Sequence, residues 1–97
     1  MRVWLDDVRP APQGWTWAKT YDEATALLDN DDVQSLSLDH DIACFRADGR
    51  EMTGYDVLMF VVERNVNGGK APEEISIHSA NPVGRARMQG VIDRYLI

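Results

Sequence analysis

Acids and histidines cluster in this chain just past three short apolar runs. Asp6 and Asp7 follow Arg2 to Leu5, Asp39, His40 and Asp41 follow Ser35 to Leu38, and His78, Ser79 and Asn81 follow Ile75 to Ile77. Both histidines of the chain belong to this set. Carboxylates brought close together repel one another unless a cation or a shared proton relieves them. Oxygen donors suit a hard cation, so Asp6, Asp7 and Asp39 read as ligands of a divalent metal. Mg²⁺ is the first choice, and the nearby histidines make Mn²⁺ the second. Imidazole titrates near neutrality, which makes His40 and His78 candidates for general base and acid, with Asp41 placed to orient one of them. Asn81 followed by Pro82 is a helix start, and a helix N-terminus attracts anions. Asn81, Arg85 and Arg9 are therefore the candidate phosphate holders, with Ser79 beside them.

These residues do chemistry together only if the fold gathers them, and the pattern of elements says how. Arg2 to Leu5, Trp15 to Thr20, Ser35 to Leu38 and Ile75 to Ile77 read as strands. Three helices alternate with them. The first follows Thr20, which with Glu23 forms a capping box, and places Ala24, Leu27 and Leu28 on one face. The second runs from Gly54 to Asn65 with Val57, Leu58, Val61 and Val62 inward. The third follows Asn81, with Met88, Val91, Ile92 and Tyr95 as its buried face. Strands alternating with helices predict a mostly parallel four-stranded α/β sheet. In such sheets ligands bind outside the carboxyl ends of the strands, where every residue of the cluster falls.

One junction strains this scheme. Only residues 6 to 14 separate the first two strands, whereas a parallel crossover normally takes about a dozen residues or more. An extended loop that does the crossing keeps the strands parallel and keeps Asp6 and Asp7 on the edge that carries Asp39. Ile42 to Thr53 reads as a loop long enough to suspect function. Asp29, Asp31 and Asp32 read as a solvated turn. Thr53 and Asp56 fit a helix start as well as they fit a role near the cluster. Trp15 and Trp17 share one side of their strand and read as packing, Cys44 as inert, and Arg87 and Arg94 as surface residues.

Composition narrows the function. The 97 residues make one domain, and a single cysteine permits no internal disulfide. A formal net charge of −6 argues against an extended nucleic-acid surface, because phosphate contacts dominate that affinity. A single phosphate or nucleotide end remains compatible. No apolar run is long enough for a membrane helix, and acids stand where a signal peptide would be apolar, so a soluble cytoplasmic protein is expected.

Leu5-Asp6-Asp7, Leu38 to Asp41, Thr53 to Leu58 and His78 to Met88, in that order, resemble the cyclic-phosphate-processing receiver-like domain family, a divergent relative of two-component receiver domains. The resemblance implies a flavodoxin-like or receiver-like fold and a role at cyclic phosphate ends of RNA or related nucleotides. It places Asp6 and Asp7 at the receiver's metal-binding acid pair, Asp39 at its phosphate-accepting aspartate and Ser79 at its small hydroxyl residue. The chain departs from a receiver in lacking the first crossover helix, the fifth strand and the lysine that ends it. The leading expectation is a metal-dependent phosphoesterase. The alternative is a degenerate receiver that binds a phosphate, nucleotide or protein without turnover. Three helices on four strands would leave part of one face open, which favours a homodimer or another partner.

Overall fold

The computed structural model describes residues 1–96. The chain folds in the order β1 (Arg2–Leu5), β2 (Thr16–Ala18), α1 (Tyr21–Leu28), β3 (Ser35–Leu38), β4 (Cys44–Phe45), β5 (Glu51–Met52), α2 (Gly54–Val66), β6 (Glu74–Ile77) and α3 (Pro82–Tyr95). Four strands form one parallel sheet in the order β2-β1-β3-β6. With its three helices this is the receiver-like α/β fold expected from the sequence.

Alternation along the strands separates two faces. Val3 and Leu5 of β1 and Leu36 and Leu38 of β3 are fully buried and pack with Ala24, Leu28, Val57, Leu58, Val61, Met88 and Ile92 of the helices. Full burial of such side chains stabilises by about 1.5–3 kcal/mol each. Trp4 and Ser37, partners in register, lie on the other face beside Trp17. Among the described residues no helix covers that side. The β1–β2 connection does so instead: Trp4 Nε1 donates to the Arg9 carbonyl at 3.0 Å, and Trp15 meets Trp4 edge to face at 6.1 Å. The short connection is thus a tryptophan-backed loop, and β1 and β2 are parallel.

Local chemistry fixes the helix starts. Thr20 accepts the Glu23 amide, Thr53 and Asp56 form a full capping box, and Asn81 caps α3 with Pro82 behind it. Two details differ from the sequence expectations. The segment Ile42 to Thr53 contains a small hairpin, β4–β5, which pairs Cys44 with Met52 and Phe45 with Glu51. Gly49 closes it at φ 87°, in the left-handed region that glycine enters without strain. Tyr95 is 49% exposed rather than buried, and Leu96 packs against the core at that end. The Asp29–Asp32 turn is exposed as expected, and Arg64 ties it down by pairing with Asp29 at 3.1 Å and Asp31 at 2.9 Å.

Candidate metal and phosphate cleft

Hydrogen bonding between the strands continues one residue past their ends. The Asp6 amide donates to the Ala18 carbonyl at 3.1 Å, the Asp39 amide to Leu5 at 3.0 Å, and the His78 amide to Leu38 at 3.0 Å. Asp6, Asp39 and His78 are therefore held level at one edge by the sheet itself. Carboxylate oxygens of Asp6, Asp7 and Asp39 lie within 4.8 Å of one another. They line an open cleft of about 370 Å³ together with Arg9, Asp41 and Ser79. The cleft lies between β1, whose connection leaves over the tryptophan face, and β3, whose connection leaves over the helical face. That is a topological switch point, the usual ligand position in open α/β sheets.

Asp6 is 1% exposed, yet it is held ionised. Burial opposes its charge, but the Arg9 and Val8 amides and the His78 ring outweigh burial and keep the carboxyl below the usual range. Its Oδ1 accepts Val8 N–H at 2.9 Å and Arg9 N–H at 2.8 Å, and its Oδ2 accepts from His78 Nε2 at 3.1 Å. A carboxylate offers about four lone-pair sites, so one remains free on Oδ2. Asp39 is shifted the opposite way: burial first, then the charge of Asp6, raise its pKa.

This donor set fits a hard cation. Two oxygens on opposite sides of Mg²⁺ at about 2.1 Å each would be about 4.2 Å apart. Carboxylates within 4.8 Å need only a small closure to reach that spacing. The cation would also relieve the repulsion that Asp39 carries.

His78 stands behind this triad. Its Nδ1 lies 2.7 Å from Ser37 Oγ, and its ring stacks on Trp4 at 3.7 Å and 4°. With Nε2 donating to Asp6, the neutral ring accepts the Ser37 hydroxyl proton at Nδ1 (burial lowers its pKa, against the pull of Asp6). Both ring nitrogens are engaged, and His78 does not line the cleft. His40 does not line it either. Its Nδ1 lies 2.9 Å from Asp41 Oδ1.

The phosphate candidates divide. Arg9 lines the cleft, with Nε 3.7 Å from Asp6 Oδ2 and Nη1 3.5 Å from the His78 carbonyl. Ser79 is buried, and its Oγ accepts the Asn81 amide at 3.1 Å. Asn81 borders the cleft, but its side chain is committed: Oδ1 accepts the Gly84 amide at 3.0 Å and Nδ2 donates to Asp41 at 3.1 Å. Pro82 offers no N–H, so the first turn of α3 has little left to give an anion. Arg85 is exposed on α3 and outside the cleft lining.

Two glycines complete the site. A Cβ on Gly54 would fall on the Asp39 carbonyl, and the Gly54 amide donates to His40 O at 2.9 Å. A Cβ on Gly84 would lie 2.5 Å from the His40 ring. Both glycines sit in the motifs singled out above, but their role is close approach, which a sequence signals only as a glycine at a helix start.

A family model described as the cyclic-phosphate processing receiver domain matches residues 1–94. No curated protein and no solved structure matches the chain.

Proposed function

The chain belongs to the cyclic-phosphate processing receiver domain family, and from that premise we propose that it is a metal-dependent phosphoesterase acting on cyclic phosphate ends of RNA or related nucleotides. The observation that carries this reading is the convergence of Asp6, Asp7 and Asp39 in a cleft that also holds Arg9. The three carboxylates would hold Mg²⁺ or Mn²⁺. Such a cation supplies polarisation of a phosphoryl oxygen and a lowered pKa for its bound water.

The chain's own groups do the rest. Arg9 presents a half-exposed guanidinium to an anionic phosphate. Opening a cyclic phosphate adds water at phosphorus, breaks one P–O ester bond and delivers a proton to the ribose oxygen. Asp41 is the exposed carboxylate in the cleft backed by an imidazole, so His40 enters the proton traffic through Asp41. His78 acts through Asp6, fixing the carboxylate that a cation would need. Outer partners of this kind typically change metal affinity or activity by about 10–100-fold.

A second reading, a binding module without turnover, draws on the same two rings, because neither imidazole lines the cleft. The deciding experiment presents the purified chain with 2′,3′-cyclic nucleotides and with RNA bearing a cyclic phosphate end. Mg²⁺, Mn²⁺ and EDTA are compared. Metal-dependent ring opening that is lost in Asp39→Asn supports the phosphoesterase. Tight binding of the same compounds with no turnover supports the binding module.

A further inference from the structure

A second cavity, of about 630 Å³, lies at the same edge of the sheet. Its walls are Tyr21 and Asp22 at the start of α1 and Cys44, Phe45 and Arg46 of the β4–β5 hairpin, with Met52 as buried floor. The size is within the range of about 300–1,000 Å³ typical of small-molecule sites. Topology places it beside the acidic cleft. Tyr21 follows β2 and the hairpin follows β3, and these are the two strands that flank β1 with its Asp6 and Asp7. The hairpin is anchored to the cleft as well, since Gly54, just beyond it, packs against the Asp39–His40 backbone.

The wall residues have the chemistry of base recognition. Phe45 is 63% exposed and contributes little to the core. The Arg46 guanidinium lies 5.8 Å from the Tyr21 ring centroid, and its Nε donates to Met52 Sδ at 3.0 Å, which fixes the planar group. Both backbone polar groups of Arg46 are used within the hairpin turn. Aromatic faces and an arginine plane are what unpaired bases stack on, and Asp22 offers an acceptor for an exocyclic amino group.

We propose that this cavity is the nucleobase subsite of the enzyme, holding the base of the terminal nucleotide while its phosphate occupies the acidic cleft. The proposal rests on the phosphoesterase reading of that cleft and names its substrate class as nucleotides rather than phosphate esters in general. A ¹⁵N NMR titration tests it, with 2′,3′-cyclic AMP and inorganic phosphate as separate probes in the presence of Mg²⁺. Cyclic AMP should move the amides of Tyr21 and residues 44–48 as well as those of the cleft, and phosphate only the cleft. Phe45→Ala and Arg46→Gln should each weaken cyclic AMP binding while phosphate affinity is unchanged. For Phe45→Ala the loss should be about 5- to 150-fold, the range for removal of one base–aromatic stack. Hairpin amides that stay still with the nucleotide, or two variants that bind it like the parent, would overturn the subsite. Nucleotide binding at the hairpin with no turnover would sink the phosphoesterase and leave the subsite standing.

Discussion

Burial and the charge of Asp6 both disfavour ionised Asp39, so the cation-free protein gives up stability to keep this carboxylate. A raised folded pKa means that ionisation is easier in the unfolded chain. Asp39 therefore lowers stability increasingly as pH rises from the unfolded value near 3.8 through the folded one, and the loss persists at neutral pH. Asp39→Asn is expected to raise the melting temperature in EDTA and to abolish the gain from Mg²⁺, the usual trade between stability and function. Asp6 is the opposite case. Its folded pKa is lowered, so its contribution is present above the unfolded value and is lost as pH falls through the folded one. Asp6→Ala removes the acceptor of the Val8 and Arg9 amides and of one nitrogen of His78, and hydrogen bonds to a charged group contribute about 1.5–3 kcal/mol each. Thermal melts of the two variants in EDTA should therefore move in opposite directions, and movement in the same direction would refute this division of roles. Ser37→Ala probes the next layer. It removes only the partner of His78 Nδ1, and Mn²⁺ affinity should fall roughly 10-fold, within the range for outer partners, as read by calorimetry.

Strands and caps carry the part of the fold that the sequence states openly. The apolar runs at Val3 to Leu5 and Leu36 to Leu38, the N-caps at Thr20 and Thr53 (a full capping box only at Thr53), and Asn81-Pro82 each act within a few residues, so local chemistry reveals them. The gathering of Asp6, Asp7 and Asp39 was legible because acids at the ends of parallel neighbours must meet. The β4–β5 hairpin was not, because two-residue strands show no alternation. The routing of His78 to Ser37 and Trp4 was hidden too, since it depends on which face of β6 the ring leaves from. Gly54 belongs at this scale: it lets the first turn of α2 rest on the Asp39 carbonyl. Gly54→Ala forces that backbone apart, with an overpacking cost of about 1–3 kcal/mol, and should weaken Mn²⁺ binding as well. Gly90 meets nothing within 4 Å, so Gly90→Ala is the control and should leave metal affinity unchanged.

At the scale of the whole molecule, the lysines bear on whether this domain works as a phosphorylation switch. A receiver relies on a lysine near its acceptor aspartate. Here Lys19 lies 4.2 Å over the Trp17 ring and Lys70 pairs with Glu73 at 3.7 Å, so neither serves the cleft. Acetyl phosphate is expected to leave oligomeric state unchanged, as size-exclusion chromatography would show. A net charge of −6 argues against an extended nucleic-acid surface. Among the described residues no helix is long and apolar enough to cross a membrane. Everything assigned to the cleft depends on a cation held by the three carboxylates, and calorimetric titration of the parent and Asp7→Asn with Mn²⁺ measures that directly. The expected result is one saturable site in the parent, displaced by Mg²⁺ and lost in the variant, while both proteins keep the same fold by circular dichroism. Absence of a site in the parent, or an equal site in Asp7→Asn, would contradict the assignment of these aspartates as metal ligands.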